Sequence, residues 1–230
     1  MVDKQSLHDT VGINDRLKAI IDRVTIDTQF QHNDTFRASV VDWTQGADTV
    51  LDVGKSMRDY YEKLTVGSAK TLDINDFGDY PDILGDICSP FPVSYSNQFN
   101  AVIALAILEH VYDPQAAVNV IQSILKPGGT AYLYVPFLFR YHGPPDLSFQ
   151  DYQRFSRDGF AYLLRDFDSV TLYPVRGRFS TAINLFPFWK RKVESRFGGR
   201  INRWLDNFAK PRKNLLQASG YYAVARKALS

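Results

Sequence analysis

The 230-residue sequence contains a single cysteine, Cys88. A lone cysteine forms no internal disulfide and cannot supply the thiolate set of a structural zinc cluster. The sequence also lacks any apolar run near the roughly 18 residues that a membrane-spanning helix requires. Its polar beginning, MVDKQSLHDT, does not have the pattern of a signal peptide. These absences predict a protein of the reducing cytoplasm without a membrane span.

Neither internal repeats nor low-complexity segments divide the chain. Hydrophobic residues make up 45% of it and charged residues 23%, which is enough to build a core and ordinary for a globular protein. We therefore predict one domain over residues 1–230. The four histidines include no closely spaced pair such as His-x-x-x-His, and this spacing predicts no metal site.

The net charge of +2 hides an uneven distribution. Residues 176–213 contain eleven Lys or Arg and two acidic residues, a local net charge of +9. The rest of the chain therefore holds 16 basic and 23 acidic residues, a net charge of −7. A basic segment that is also rich in aromatic residues, attached to an acidic domain, is typical of a surface that meets an anionic partner.

Short apolar runs alternate with helical stretches along the chain. Residues 11–45 have apolar side chains at helical spacing and predict an N-terminal helical cap over residues 1–45. Strand-like runs such as TVLDVG, FNAVIAL and GTAYLYVP follow, with a helix predicted from about Asp113 to Leu125. This alternation predicts an α/β fold with a doubly wound, mostly parallel sheet of seven strands. A basic, aromatic and helical insertion, residues 178–218, precedes the last strand.

Three predicted strand ends suit a cofactor that contains a nucleoside. Gly54 follows the first of these strands, where the missing Cβ lets the backbone approach a ligand. Asp73 ends the second, 19 residues later, and its carboxylate suits the two hydroxyls of a ribose. Asp86 and Ile87 end the third, where an acid can accept from an adenine amino group and an apolar neighbour can pack on the ring. Each signal is weak alone, because such residues are often only turns or solvated ends.

The next stretch makes the combination specific. It contains Leu-Glu-His at 108–110 and Leu-Lys-Pro-Gly-Gly at 125–129. Together with its surroundings, from about residue 45 to 175, this pattern resembles the class I S-adenosylmethionine-dependent methyltransferases. Two later motifs, Tyr-His-Gly at 141–143 and Asp-Tyr-Gln-Arg-Phe at 151–155, are similar to those of methyltransferases from surface-polysaccharide gene clusters.

The resemblance implies a Rossmann-like methyltransferase fold with S-adenosylmethionine as cofactor. The cofactor-binding residues that it implies are Asp52, Gly54, Ser56, Asp73, Ile74, Asp86, Ile87, Ala104, Leu105 and Ala106. The loop departs from the family pattern at Ser56, where a second glycine is common. Because serine is disfavoured only where φ is positive, we expect Ser56→Gly to leave cofactor binding intact or to improve it.

Methyl transfer to a hydroxyl needs a general base, and histidine is the usual one near neutral pH. His142, in a Pro/Gly-rich loop after the fifth predicted strand of the family pattern, is the first candidate, and His110 is the second. Asp151 is a third catalytic candidate, with Asp146 as another loop carboxylate. Two alternatives remain open: His110 only packs in its turn, and Asp151 only pairs with Arg154.

The sequence thus predicts an S-adenosylmethionine-dependent methyltransferase that methylates a hydroxyl of a sugar or glycoconjugate. A methyltransferase of a small metabolite, lipid or quinone is one alternative, and a non-catalytic interaction module with the same fold is another. Residues 178–213 are predicted to contact anionic membrane from the cytoplasmic side. A plain cap on the sheet and a surface for single-stranded nucleic acid are the alternatives, and the polysaccharide-type motifs make nucleic acid the less favoured partner.

Overall fold

A computed structural model of the protein describes residues 15–27, 33–145, 148–186, 198–208 and 215–230. Within these residues, eight strands form one sheet: β1 (Thr25–Ile26), β2 (Thr49–Val53), β3 (Ser68–Asp73), β4 (Ile83–Leu84), β5 (Phe99–Leu105), β6 (Leu125–Pro136), β7 (Ser169–Val175) and β8 (Gly220–Arg226). The described helices are α1 (residues 15–22), α2 (Asn33–Thr44), α3 (Pro114–Ile124), α4 (Arg157–Leu163), α5 (Arg178–Leu185) and α6 (Gly198–Phe208). Short 3-10 helices cover Arg58–Lys63, Val93–Tyr95 and Leu215–Gln217.

The strands lie in the order β1-β7-β8-β6-β5-β2-β3-β4. Neighbours are parallel except at β8, which is antiparallel to both β6 and β7. The chain builds β3 and β4 on one side of β2, then crosses to build β5 and β6 on the other. Strand order therefore reverses between β2 and β5, and ligands of such sheets bind beyond the carboxyl ends of the strands at this point. The prediction of a doubly wound, mostly parallel sheet is confirmed.

Three local predictions need correction. The sheet has eight strands rather than seven, because Thr25 and Ile26 pair with β7 inside the segment that was predicted to be wholly helical. Strand β4 ends at Leu84, so Asp86 and Ile87 lie in the turn beyond the strand and not at its last residues. Helix α3 ends at Ile124, one residue before the predicted end, and β6 begins at once with Leu125 and includes the Lys-Pro-Gly-Gly sequence.

Helices cover both faces of the sheet. On one face, α3 and α4 contribute the buried side chains of Ile121 and Phe160. On the other, α2 and the turn after β2 contribute Phe36, Val40 and Met57. The central strands are thus buried on both faces, which explains their continuous apolar runs. Only the ends of these strands remain open for a ligand.

The described parts of the insertion at 178–218 are helical and pack on each other. Asp206 of α6 accepts hydrogen bonds from the Gly177 N–H, at 2.7 Å, and from the Ser180 hydroxyl. The Asn184 amide of α5 donates to Asn202 of α6 at 2.9 Å. The basic run at 190–192 lies outside the described residues. Among the described helices, none has the length and apolar character to cross a bilayer.

Candidate active site

A cavity of about 980 Å³ opens where β2, β3, β5 and β6 end. This volume lies at the upper end of the roughly 300–1,000 Å³ found for small-molecule sites. Two of the predicted cofactor residues, Asp52 and Ala104, are fully buried behind its wall. The other eight line it: Gly54, Ser56, Asp73, Ile74, Asp86, Ile87, Leu105 and Ala106.

The turn after β2 requires glycine at its first position. Gly54 has a φ of +65°, and a Cβ on it would lie 2.5 Å from Cδ1 of Ile107. Its N–H donates to the carbonyl of Leu72 at 2.7 Å, which ties the turn to β3. Lys55 follows with a φ of +46°, a left-handed conformation that a side chain disfavours. The backbone strain therefore falls on Lys55, and the bare backbone of Gly54 faces the cavity.

Ser56 has an ordinary negative φ and makes a specific contact with Asp52. Its hydroxyl and its N–H donate to Oδ1 of Asp52 at 2.6 and 2.9 Å, and the Met57 N–H donates to Oδ2 at 3.1 Å. Burial raises the pKa of Asp52 to about 6, although these hydrogen bonds oppose the shift. The carboxylate thus holds the loop from behind, and serine at this position adds a hydrogen bond that glycine lacks.

Asp73 lies in the cavity wall at the end of β3. Its Oδ1 accepts from the Asn75 N–H at 2.9 Å, and its Oδ2 accepts from the Tyr80 hydroxyl at 2.9 Å. Burial, together with this bond, raises the pKa of the Tyr80 hydroxyl far above its ordinary value, so Tyr80 stays a donor. Since a carboxylate has about four acceptor positions, Asp73 keeps two for hydroxyls of a ligand. Its neighbour Ile74 is exposed at the same wall.

Asp86 and Ile87 form the adjacent part of the wall. Asp86 accepts from the Cys88 N–H at 2.8 Å, the Tyr112 hydroxyl at 2.7 Å and the Ser89 hydroxyl at 3.1 Å. Burial would raise the pKa of Asp86, but these hydrogen bonds outweigh it and hold the pKa below the ordinary value. An ionised acceptor thus lies beside the largely buried apolar side chain of Ile87.

The end of β5 forms the floor next to the glycine turn. Leu105 and Ala106 both face the cavity, and Ala106 has a φ of +60°. Its N–H donates to the carbonyl of Tyr134 at 3.1 Å, which fixes the turn against β6. A small side chain here leaves room above the strand end.

Two loops bring Glu109, His110 and His142 together in the same cavity wall. Nε2 of His110 lies 3.1 Å from Nε2 of His142. Oε1 of Glu109 lies 3.5 Å from Nε2 of His142 and 3.8 Å from Nε2 of His110. Glu109 is fully buried, and neither of its carboxylate oxygens has a hydrogen-bond partner within the described part of the chain. In the sequence, Glu109 stands out only as part of the Leu-Glu-His motif. Its position between Leu108, which packs in the core, and His110, a candidate base, is the signal that could have indicated a role for it.

The outer nitrogens fix the tautomers of both imidazoles. Nδ1 of His110 lies 2.6 Å from the Gln150 carbonyl, and Nδ1 of His142 lies 3.1 Å from Oδ2 of Asp151. Because a carbonyl and a carboxylate only accept, both Nδ1 atoms donate, and each neutral ring turns the lone pair of Nε2 toward Glu109. Contact with Glu109, aided by the charge of Asp151, raises the pKa of His142 above its ordinary value.

Asp151 lies behind His142 and is not among the residues of the cavity wall. Its side chain is fully buried and paired with the Arg154 guanidinium, and it also accepts from the His142 N–H at 2.8 Å. Burial works against ionisation, yet the bonds from Arg154 and His142 lower the pKa of Asp151 to about 2. The geometry of Asp151 thus agrees with the ion-pair alternative, and its carboxylate also contacts His142 from behind the cavity wall. The other loop carboxylate, Asp146, lies outside the described residues.

A comparison with family models matches residues 47–133 to a methyltransferase domain. This part of the chain is therefore similar to a methyltransferase domain. The matched residues include the glycine turn, Asp73, Asp86 and the Glu109–His110 pair. The predictions of a class I methyltransferase enzyme and of S-adenosylmethionine as its cofactor are confirmed at this level. A search of curated proteins gives no match.

Solved structures share the fold of this chain at low identity. The [4+2]-cyclase SpnF aligns over 86% of this chain and 81% of its own, with a TM-score of 0.52 and 16% identity. A structure of the complex between the Haloferax volcanii Trm112 methyltransferase activator and a candidate methyltransferase aligns over 96% of this chain and 97% of its own, with a TM-score of 0.51 and 18% identity. A SAM-dependent methyltransferase from Archaeoglobus fulgidus aligns over 85% of this chain and 95% of its own, with a TM-score of 0.51 and 14% identity. Since a cyclase shares the fold, the fold does not fix the acceptor.

Proposed function

We propose that this methyltransferase transfers a methyl group from S-adenosylmethionine to a hydroxyl of a sugar or glycoconjugate. One observation carries the proposal. A single cavity joins two carboxylates, Asp73 at the end of β3 and Asp86 in the turn beyond β4, to the cluster of Glu109, His110 and His142. The first pair suits a nucleoside, and the cluster suits the removal of a proton from an acceptor.

The residues of the wall fit the cofactor. Gly54 has no Cβ, and a Cβ there would collide with the side chain of Ile107. Without that atom the backbone of Gly54 can lie close to a ligand. Asp73 has acceptor positions for the ribose hydroxyls, and Asp86 beside Ile87 offers an ionised acceptor and an apolar surface for adenine. Asp52 and Ser56 act indirectly, because they hold the turn in shape.

S-adenosylmethionine supplies a methyl carbon on a sulfonium, which an acceptor oxygen attacks as the carbon–sulfur bond breaks and its electron pair stays on sulfur. The chain's own residues must then orient the hydroxyl and receive its proton. His110 and His142 both lie in the cavity wall, and we assign the proton to Nε2 of His142. Asp151 stabilises the resulting imidazolium through Nδ1 at 3.1 Å. The products are a methyl ether and S-adenosylhomocysteine.

The acceptor class rests on the polar and aromatic lining beyond the cluster. Arg140 supplies hydrogen-bond donors in this wall, the amide oxygen of Asn184 is an acceptor, and Phe139 and Phe149 supply ring surfaces. Phe149 is 44% exposed and its ring centroid lies 4.6 Å from that of His110. Donors set beside an aromatic face suit a sugar, which has hydroxyls at its edge and an apolar face.

A lipid-linked sugar would also explain the basic segment at 178–213. The segment carries a net charge of +9 over residues 176–213, which favours anionic lipid headgroups. We therefore propose a cytoplasmic enzyme that meets the membrane at its periphery, with nucleic acid the less favoured partner. One of its two described helices, α5, lies next to the cavity, because Asn184 is in the cavity wall.

The experiment is methyl transfer from labelled S-adenosylmethionine to a panel of free sugars, lipid-linked sugars, quinols and amines, with product identification. Label in a sugar methyl ether is expected, and label only in amines or quinols would contradict the acceptor class. His142→Ala should lower transfer by about 10²–10⁴-fold and leave binding of S-adenosylhomocysteine unchanged by calorimetry. Asp73→Ala should weaken that binding by about tenfold or more, since a hydrogen bond to a charged group contributes about 1.5–3 kcal/mol. Full activity in His142→Ala would show that the cluster does not take part.

A further inference from the structure

We propose that Glu109, His110 and His142 bind a divalent transition-metal ion. Their three ligating atoms come from the turn after β5 and from the loop after β6, so sequence spacing does not reveal the set. They lie within a few ångströms of one another in the cavity wall. The spacing argument that predicted no metal considered only local pairs of histidines.

The separations of the three atoms fit a single ion. They form a triangle with sides of 3.1, 3.5 and 3.8 Å. The circle through its corners has a radius of about 2.0 Å (the product of the three sides divided by four times the area of about 5.1 Å²), close to Zn–N and Zn–O bonds of roughly 2.0–2.2 Å. An ion near the centre of this circle would reach all three atoms without a large movement of any side chain.

The groups behind the ligands are those that a metal site requires. A histidine ligand usually donates its other N–H to a carbonyl or a carboxylate, which fixes the ring and its tautomer. His110 does so to the Gln150 carbonyl at 2.6 Å, and His142 does so to Asp151 at 3.1 Å. Arg154 in turn holds Asp151. Both Nε2 lone pairs are therefore already turned toward the position of the ion.

A proton satisfies this cluster less well than a cation does. One proton bridges a single pair, either the two imidazoles or His142 and Glu109. A proton shared by the two imidazoles would leave the buried carboxylate of Glu109, which has no hydrogen-bond partner among the described residues, without any partner. A divalent ion instead binds one atom from each side chain and neutralises the buried charge, whose desolvation is otherwise costly.

The ligand set indicates the class of ion and its role. Two imidazoles and one carboxylate with open positions suit Zn²⁺, Co²⁺ or Fe²⁺, whereas Mg²⁺ prefers oxygen ligands alone. The side chains of His110 and His142 are 14% and 27% exposed, so the remaining positions face the cavity. If the proposed function holds, an acceptor hydroxyl binds there, and the ion lowers its pKa as it lowers that of bound water. In this metal-bound form Nε2 of His142 is a ligand, so the acceptor proton leaves to solvent, and His142 is the base only in the metal-free form. Metal binding itself does not depend on that function.

The test is titration of chelator-treated, dialysed protein with Zn²⁺ by calorimetry and with Co²⁺ by visible absorption. One ion per chain is expected, with the absorption of a nitrogen-ligated Co²⁺ site. Glu109→Gln and His110→Gln should each weaken binding by about 100-fold or more, and Asp151→Asn, which disturbs only the support of His142, by about 10–100-fold. Removal of a buried, unpaired charge should not harm the metal-free fold, and thermal unfolding of Glu109→Gln checks this.

His32→Gln is the matched control, because it removes a histidine that is distant in sequence from the cluster, and it should bind as the wild type does. The proposal would be overturned if Glu109→Gln and His110→Gln both kept the wild-type affinity for the metal, or if the wild type bound no more metal than the His110→Gln protein does. Failure of the proposed function is a separate result: metal binds as expected, yet no hydroxyl accepts the labelled methyl group. No metal binding together with full sugar methylation would instead reject the metal site and leave the proposed function standing.

Discussion

Ser56 connects the cofactor turn to the strand that precedes it. Its hydroxyl lies 2.6 Å from Oδ1 of Asp52, inside a region where both residues are buried. A hydrogen bond to a buried carboxylate is among the stronger ones in a protein. The family pattern suggested that serine is merely tolerated here, whereas this contact indicates a specialised loop.

Ser56→Ala is therefore expected to weaken binding of S-adenosylhomocysteine by about tenfold or more, since a hydrogen bond to a charged group contributes about 1.5–3 kcal/mol. The loss should also raise the pKa of Asp52 above its value of about 6. Because folding raises this pKa, ionised Asp52 costs stability, and the cost grows as the pH rises from 3.8 to about 6. In the wild type, the carboxylate that holds the turn is lost by protonation below pH 6; in Ser56→Ala that loss begins at a higher pH.

Calorimetry at several pH values on both sides of 6 measures both effects. Ser123→Ala is the control, because its hydroxyl donates to a carbonyl within α3 at 2.8 Å and lies outside the cavity wall. Wild-type affinity in Ser56→Ala, or tighter binding in Ser56→Gly, would support the earlier expectation that glycine serves as well.

Single residues at strand ends were predictable, and the cluster was not. Gly54, Asp73 and Asp86 lie in the cavity because the carboxyl ends of parallel strands meet at one edge of a sheet, a rule that sequence order alone can apply. The contact between His110 and His142 joins loops 32 residues apart. Its geometry depends on how each loop folds, which no periodicity reports.

Among the elements, the long buried strands and the capped helix were predictable, and the short strands were not. β5 is a continuous apolar run, and α3 begins after Asp113, whose side chain accepts from the Ala116 N–H at the predicted start. β1 and β4 have two residues each, too few to show alternation. Their pairing depends on the neighbouring strand, so the sequence placed Asp86 at a strand end instead of in the turn beyond it.

The turn after β2 offers a matched pair of glycine substitutions. Gly54 and Gly46 have φ values of +65° and +75°, but only Gly54 has a neighbour within reach of an added Cβ. Gly46→Ala should lower the free energy of unfolding by about 1–2 kcal/mol, the cost of a left-handed side chain. Gly54→Ala should lose at least as much, because Ile107 must also move, and should weaken binding of S-adenosylhomocysteine. Denaturant unfolding and calorimetry measure the two effects, and equal stability losses with unchanged binding would show that no ligand approaches this backbone.

On the scale of the whole molecule, charge and aromatic residues concentrate in the segment next to the site. The acidic remainder carries −7 and residues 176–213 carry +9. Asp206 and Asn202 of α6 are buried, and they bond to Gly177 and Asn184 on the α5 side. The described helices are thus attached to the domain through their polar contacts. Composition alone predicted a basic surface, but it could not choose its partner, because lipid headgroups and nucleic acid phosphates attract the same cations.

Vesicle binding distinguishes these partners. The protein should sediment with anionic vesicles at low salt and be released as salt is added, because the Debye length falls to about 10 Å at 0.1 M. Replacing Lys190, Arg191 and Lys192 with Gln should weaken this binding. The control replaces Lys18, Lys63 and Lys70 with Gln, which changes the net charge equally outside the segment and should leave binding largely intact. Equal losses in both variants would mean that only net charge matters, and binding to single-stranded nucleic acid without binding to vesicles would show that the segment serves a nucleic acid and not a membrane.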